Sequence, residues 1–367
     1  DELITMEHEI MGLVKYNLRP KNHMFARTVA SGYFADGIGV GIDKSSMQGA
    51  VDVSMIRNNI WGPAHEFGHV NQIRPGLKWL GTTEVTNNVY SALVSYHYTG
   101  KISLETEDCH IDTNGNHELG GRMNCFLTYG VARGEPWMFQ FGQDKMTGYA
   151  ETGGDHFVKL CPLWQLMLYY RLSDGAPWQK PDWYADVAQI VRETDDADFT
   201  NGQHQLNFMR NTMDVLGQNL TDFFITAGML KPIDKTFDDY GTGTITITEE
   251  DVEELVKYAE KYPKPASPVI YYISSQSLPA YVKQLPVEGT FGTGITDNGN
   301  DTFTISHNIW KNVAVFETYR GETLDRVAMV GTDSPDRSTT LVRYPAGSTR
   351  IEAVAWDGTR TLVYGSR

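Results

Sequence analysis

The sequence predicts an α+β chain in two parts: a mixed α/β stretch turning mostly helical over residues 1–264, then an antiparallel β-sandwich of immunoglobulin or fibronectin type over 265–367. Three observations carry this. Apolar residues recur at three- and four-residue spacing through much of 157–261, the period of a helix face. Around Tyr262-Pro263-Lys264-Pro265 the character changes, as Pro and Ser cluster into a linker. Beyond it, about seven short alternating runs follow one another between turn signals.

Taken in order, residues 33–55 hold Gly-punctuated apolar stretches such as Gly37-Ile-Gly-Val-Gly-Ile42, suited to strands and tight turns. Ile38–Ile42 and Val51–Val53 either offer an edge to an extended substrate backbone or lie inside a sheet. Pro63, after Gly62, fits the first helical position, and Pro75-Gly76 should stop that helix, which carries HEFGH, near Arg74. The link Gly76 to Gly81 then leads to a second helix, with Thr82 or Thr83 as cap, Glu84 in its first turn and Gly100 at its end. Further helices are expected at about 157–172, interrupted by Pro162, and at 183–193, 203–216, 220–229 and 249–261. The strands expected after the linker are Val269–Ile273, Thr302–Ile305, Val313–Tyr319, Arg326–Val330, Thr340–Tyr344, Arg350–Trp356 and Thr361–Tyr364. Asp297-Asn-Gly-Asn300 and Trp356-Asp-Gly358 read as turns between them.

Composition bounds the function. At 367 residues, 41% apolar and 21% charged, with 8 Trp and 19 Tyr, the chain is globular and large enough for two domains. A net charge of -15 without any Lys/Arg-rich block argues against nucleic acid and anionic membrane as partners. No apolar run approaches the roughly 20 residues that span a bilayer, so no membrane insertion is expected. A first residue of Asp, with no initiator Met, suggests a processed or trimmed piece of something longer. Cys109, Cys125 and Cys161 lack the short paired spacings of a zinc or redox site; at most one disulfide can form, and a structural role is expected.

The chemistry concentrates at one place. His65 and His69 stand four apart on the predicted helix, so both imidazoles project from one face and can bite a single metal ion. Glu66, offset by one position, falls beside the open coordination site, where a carboxylate can take a proton from water and later deliver it to a leaving amine. Zinc is the expected ion, since imidazole and carboxylate ligands with one open position describe its catalytic geometry. A third ligand His six positions beyond His69 is excluded, because Pro75 stands there; Gln72 lies on the way. Glu84 on the second helix supplies the third ligand instead, and Asn88, one turn on, can orient a ligand His through its amide.

The run Gly62-Pro-Ala-His-Glu-Phe-Gly-His-Val-Asn-Gln72, with Trp79, Gly81 and Glu84-Val-Thr-Asn-Asn-Val-Tyr-Ser91, resembles the enhancin and enhancin-like zinc peptidases. Leu163-Trp-Gln-Leu166 and Asp222-Phe-Phe-Ile-Thr-Ala-Gly228 are similar to later segments of the same group. The resemblance implies a gluzincin-like zinc peptidase domain, with Glu84 as third ligand and Asn88 behind it. It also implies a secreted or cell-surface bacterial enzyme whose substrates are O-glycosylated, mucin-like proteins, with carbohydrate-binding modules upstream in the full-length protein. Two other classes stay open: a general zinc endopeptidase indifferent to sugar, and a glycan-binding adhesin with a vestigial metal site.

Gluzincins usually add a His, Tyr or Arg that steadies the tetrahedral oxyanion; Tyr149, His156 and Arg171 are the candidates, and a His directly before a helix also serves as a cap. Trp79 and Asp155 are candidates for substrate contact, and Trp61, Trp79 and Trp137 either stack on a sugar face or pack in the core. Asp112-Thr-Asn114-Gly-Asn116 lacks the Gly and the twelfth-position Glu of an EF-hand and reads as a solvated loop.

Overall fold

The computed structural model describes residues 2–19, 25–36, 39–52, 57, 59–106, 109–110, 117–118, 120–139, 154–332 and 337–366. Its contacts divide the chain into two compact units, and neither is continuous in sequence. Unit 1 comprises Asp1–Ile102, Lys180–Gly217 and Asp234–Ile247; unit 2 comprises Ser103–Gln179, Gln218–Ile233 and Thr248–Arg367. This division does not follow a cut at residue 264. Within unit 2, long-range bonds tie the middle of the chain to the C-terminal strands: Asn124 Oδ1 accepts from Met329 N at 2.8 Å, and Arg337 meets Glu105 at 3.0 Å. Such pairings leave no local mark in a sequence.

Unit 1 opens with α1 (Glu2–Ile10) and a three-stranded sheet of β1 (Phe25–Val29), β2 (Tyr33–Asp36) and β3 (Gly39–Asp43), in the order β1-β3-β2. β3 runs parallel to β1 and antiparallel to β2, so the stretch around Ile42 is an interior strand and β1 and β2 are the edges. Val51 belongs to no strand. Asp43 caps α2 (Lys44–Val51) by accepting from Ser45 N and Ser46 N, which turns the chain helical where alternation alone suggested more sheet. Residues 38 and 53 of the two candidate strands lie outside the described residues.

Val40 and Ile42 of β3, Ala64 and Phe67 of α3 (Trp61–Asn71) and Val94 of α4 (Asn88–Thr99) share one buried cluster with Leu3 and Ile60. Each large aliphatic side chain buried there stabilises the fold by about 1.5–3 kcal/mol. α3 ends at Asn71 rather than Arg74, because Gln72 turns to extended backbone (φ -60, ψ 130). α4 closes on Gly100 in the left-handed region (φ 65), a conformation that glycine adopts without a Cβ penalty.

The second helix starts later than the sequence suggests. Residues 82–87 form a chain of tight turns, with Val85 N bonding Thr82 O and Asn88 N bonding Val85 O, so Glu84 precedes α4 instead of lying in its first turn. Thr82 and Thr83 do not cap it. The Thr82 hydroxyl donates to Trp79 O and that of Thr86 to Leu77 O, side-chain bonds that compete with a regular helical start.

The rest of unit 1 is α5 (Trp183–Glu193), α6 (Asn201–Leu216) and a hairpin of β4 (Ile233–Asp238) and β5 (Thr242–Ile247). α6 carries a capping box between Thr200 and Gln203. In unit 2 a helix spans His156–Leu166, passes through Pro162 and continues as a wider turn over Met167–Arg171. α7 covers Glu249–Ala259.

The strand expected at Val269–Ile273 is a tight helical turn over Ile270–Tyr272, whose Tyr272 hydroxyl donates to the buried Glu317 at 2.7 Å. A short continuous apolar run reads equally as strand or buried turn, and packing chose the turn. The other C-terminal runs form strands: β6 (Ile295–Asp297), which the sequence reading missed, β7 (Thr302–Ser306), β8 (Val315–Arg320), β9 (Thr323–Met329), β10 (Thr339–Arg343), β11 (Arg350–Val354) and β12 (Arg360–Gly365). They pair in a four-stranded sheet β9-β8-β11-β12 and a three-stranded sheet β10-β7-β6, and Phe303, Ile305, Phe316, Val342, Ile351 and Val363 join both sheets in one core.

Candidate metal centre

His65 and His69 lie one turn apart on α3, with ring centroids 4.8 Å apart and the rings edge to face. Both Nε2 atoms face the same carboxylate oxygen: Glu84 Oε2 is 3.1 Å from His65 and 3.2 Å from His69. Among the described residues this trio is the group able to hold a metal ion, its donor atoms all lying within 4.8 Å of one another. The approach depends on Gly68. A Cβ there would stand 2.5 Å from the backbone oxygen of Asn87, so only glycine lets the segment carrying Glu84 and Asn88 close against α3.

The other ring nitrogens are braced. Asn88 Oδ1 lies 2.8 Å from His65 Nδ1, while Asn88 Nδ2 donates to Glu84 O at 2.8 Å. Gln72 Oε1 lies 3.0 Å from His69 Nδ1, and Gln72 Nε2 donates to Thr83 O and Thr86 Oγ1. With each Nδ1 carrying the proton for these acceptors, each Nε2 keeps its lone pair for a cation. The donor set and its bracing therefore fit a divalent metal. Asn87 Nδ2 lies 3.1 Å from His69 Nε2, and Asn87 Oδ1 is buried without a partner. Rotation of that amide exchanges its nitrogen for an oxygen on the same face of the cluster.

Residues 1–228 match the family described as peptidase M60, enhancin and enhancin-like. The chain belongs to that family. Among solved structures it is similar to a metallopeptidase in complex with Tn antigen (TM-score 0.68, 20% identity, 99% of this chain and 66% of that one). It is similar to a metallopeptidase from Bacteroides thetaiotaomicron (TM-score 0.68, 20% identity, 99% of this chain and 60% of that one). The M60 catalytic domain of Clostridium perfringens ZmpC, in complex with the sialyl T antigen, matches with TM-score 0.59 and 15% identity over 99% of this chain and 62% of its own. At these identities the likeness is one of fold, and this chain spans 66% or less of the length of those three. No curated protein matches the sequence.

In this M60 chain the trio His65, His69 and Glu84 opens on a cavity of about 1030 Å³ whose described lining comes from unit 1 alone, including Tyr33, Phe34, Ala35 and Asp36 of the edge strand β2. Glu66 lines it too, 5% exposed and without a hydrogen bond among the described residues. Burial raises its pKa, an effect that His65 and His69 oppose and Glu84 reinforces. Burial also acts on Glu84, but the close approach of the His65 and His69 imidazoles outweighs it and holds that carboxyl far below the usual range. For His65, burial disfavours the charged ring, yet bonds to Glu84 and Asn88 and the charges of Glu84 and Glu66 raise its pKa overall.

Two residues that touch the trio escaped the sequence reading. Gln72 entered there as a bar to another ligand pattern and as the end of the run that resembles the family, but not as a brace for His69, a use legible in the three-residue spacing. Tyr240 sits at the tip between β4 and β5 in left-handed backbone (φ 58), 81% exposed, and hydrogen-bonds the Glu84 carboxylate. Asp239 fastens that tip, its Oδ2 accepting from Gly81 N at 2.7 Å and Thr83 Oγ1 at 2.9 Å. No short-range pattern links residue 240 to HEFGH.

Several other candidates fall elsewhere. Trp79 is 2% exposed, its Nε1 donating to Gln205 Oε1 at 3.2 Å, so it packs unit 1 and meets no substrate. Asp155 is fully buried: it caps the helix His156–Leu166 and pairs with Arg122 at 3.2 Å, which removes it as a substrate contact. Trp137 is buried with Nε1 on Lys159 O, and Trp61 is half-buried on α3. His156 is the first residue of its helix, in unit 2, and Arg171 closes the turn after it. Cys125 and Cys161 are buried. Tyr149 and residues 112–116 lie outside the described residues.

Proposed function

We propose that this chain is a zinc-dependent endopeptidase of gluzincin type that hydrolyses peptide bonds in O-glycosylated, mucin-like proteins. The observation that carries the reading is the pair of Nε2 atoms converging on Glu84 with both Nδ1 atoms braced, and a buried Glu66 beside them in an open cavity. Relatives of similar fold held with Tn and sialyl T antigens support the glycosylated substrate.

His65, His69 and Glu84 hold the metal, which when bound supplies Lewis acidity that polarises a carbonyl and makes water more acidic. Glu66 takes the proton from the attacking water and hands it to the leaving amine. Its raised pKa suits both halves of that task, since a base with an ordinary carboxylate pKa would be a poor donor afterwards. An extended substrate backbone can add to the edge strand β2, which lines the cavity. Tyr240 supports the carbonyl oxygen as charge builds on it; we favour it over His156 because it shares the cavity with Glu66 and Glu84.

We read the whole as a peptidase stretch over 1–264 followed by a β-sandwich of immunoglobulin or fibronectin type over 265–367, from a secreted or cell-surface bacterial protein. The two antiparallel sheets with a common core support the second part. Among the described residues no helix is long and apolar enough to cross a membrane.

The test is Glu66→Ala with zinc analysis and mucin cleavage: we expect zinc retained and cleavage lost by a factor of about 10²–10⁴. Zinc and activity lost together would contradict the division of roles. Equal cleavage of a mucin before and after enzymatic deglycosylation favours a general endopeptidase, and glycan binding without any cleavage favours an adhesin.

A further inference from the structure

On a chain of net charge -15, the cavity wall gathers Arg19, Arg74, Lys78 and Arg192. The acidic groups lining the same cavity are already engaged. Asp36 takes Arg27, Glu193 accepts from Gln189 Nε2 at 2.7 Å, and Glu66 and Glu84 belong to the metal centre. Lys78 and Arg74 are different. Among the described residues neither side chain makes a hydrogen bond or a salt bridge, although Lys78 is half-buried. Burial weakens the hold of Lys78 on its proton and the neighbouring Arg74 charge weakens it further, with Asp239 and Glu84 opposing.

Two adjacent cations, one half out of water, repel each other and give the fold no ion pair in return. Asp239, whose charge acts on Lys78, has one oxygen occupied by Gly81 N, Thr83 N and the Thr83 hydroxyl. Cations without an ion-pair partner on the wall of a cavity direct their field at whatever enters. Lys78 supplies a point charge and Arg74 a planar fork, the combination that grips a carboxylate or sulfate. Arg192 adds to the same wall a buried Nη1 without a partner.

We propose that Lys78 and Arg74 form a subsite for an anionic group on the substrate, a carboxylate or sulfate presented within the cavity that holds Glu66 and Glu84. This rests on the peptidase reading of the cavity and narrows it: the preferred substrate is acidic close to the scissile bond. The same chemistry has two sources, an acidic sugar on the O-glycan or an acidic side chain of the peptide.

Three synthetic peptides of one sequence separate them: a neutral GalNAc-Thr, its sialylated form, and the neutral glycopeptide with Glu beside the glycosylated Thr. kcat/KM is measured for the zinc-loaded wild type, Lys78→Gln and Arg74→Gln, with melting curves for folding. The wild type should favour one acidic peptide over the neutral one by about tenfold, and the ratio should fall toward one in both variants. The favoured acidic peptide identifies the source. Arg74 is exposed, so its variant keeps the test alive if the lysine change disturbs folding. Binding of the same peptides to Glu66→Ala is read by fluorescence anisotropy, which decides the subsite without turnover. An unchanged ratio in both variants, or wild-type preference for the neutral peptide, overturns the proposal. Absence of cleavage with selective acidic binding sinks the peptidase reading alone.

Discussion

Gly68→Ala is the sharpest perturbation of the metal centre that touches none of its ligands. The added Cβ would stand 2.5 Å from Asn87 O, 3.2 Å from Asn87 C and 3.2 Å from Tyr90 Cδ2. Backbone cannot rotate away as a side-chain tip can, so the 84–90 segment has to retreat from α3 by roughly 1 Å to reach an ordinary contact near 3.5 Å. That retreat stretches the 2.8 Å contact between His65 and Asn88 to as much as about 3.8 Å, beyond a hydrogen bond. It also draws Glu84 away from both imidazoles. Overpacking of this kind costs about 1–3 kcal/mol of stability, and a ligand shell loosened behind its first atoms loses about 10–100-fold in metal affinity. Zinc affinity from a chelator competition and a melting curve measure both consequences. A Gly68→Ala protein with wild-type zinc affinity and melting temperature would refute the claim that close approach at this glycine assembles the centre.

Gln72→Ala and Asn88→Ala each free one ring nitrogen while leaving the three donors in place, so zinc should bind about 10–100-fold more weakly in each; unchanged affinity would mean the bracing is incidental. Tyr240→Phe should lower kcat about 10²-fold with zinc content and KM little changed, and a loss confined to KM would reassign Tyr240 to substrate binding. Glu7 is fully buried with one oxygen on Asn71 and the other unpaired, and burial raises its pKa well above the ordinary value despite the Asn71 bond. Its contribution is fullest below the unfolded carboxyl pKa and is lost as pH rises toward the folded one. Glu7→Gln should therefore raise stability at pH 8 by about 1–3 kcal/mol and do little at pH 4; a larger gain at the acid end would reverse the sign.

Legibility followed the range of the forces involved. The turn-by-turn spacing of His65, Glu66 and His69 is a property of any helix, and Gly100 marks a helix end through backbone geometry alone; Pro63, expected first, stands third in α3, and that helix ends at Asn71, short of Pro75. Most C-terminal strands also announced themselves, because alternation records a buried and a solvated face. The exceptions have a common cause. Val269–Ile273 is apolar throughout and carries no period to read, and the tight turns around Glu84 are shaped by hydroxyls that bond carbonyls several residues away. Trp79 and Asp155 looked available for substrate until burial by distant segments assigned them to packing and capping.

By itself, then, the sequence placed His65, Glu66 and His69 on one helix with both imidazoles on one face, since a four-residue helical repeat needs only local geometry. The tertiary structure decided how those groups are held and what surrounds them. Gly68 admits a neighbouring backbone, Gln72 and Asn88 lock the rings, and a hairpin far along the chain brings Tyr240 to Glu84. The same folding sets Lys78 and Arg74 on the cavity wall with, among the described residues, no ion-pair partner for either. Contacts between residues distant in the chain are selected by the free energy of the whole packed unit, and no window of sequence contains that sum.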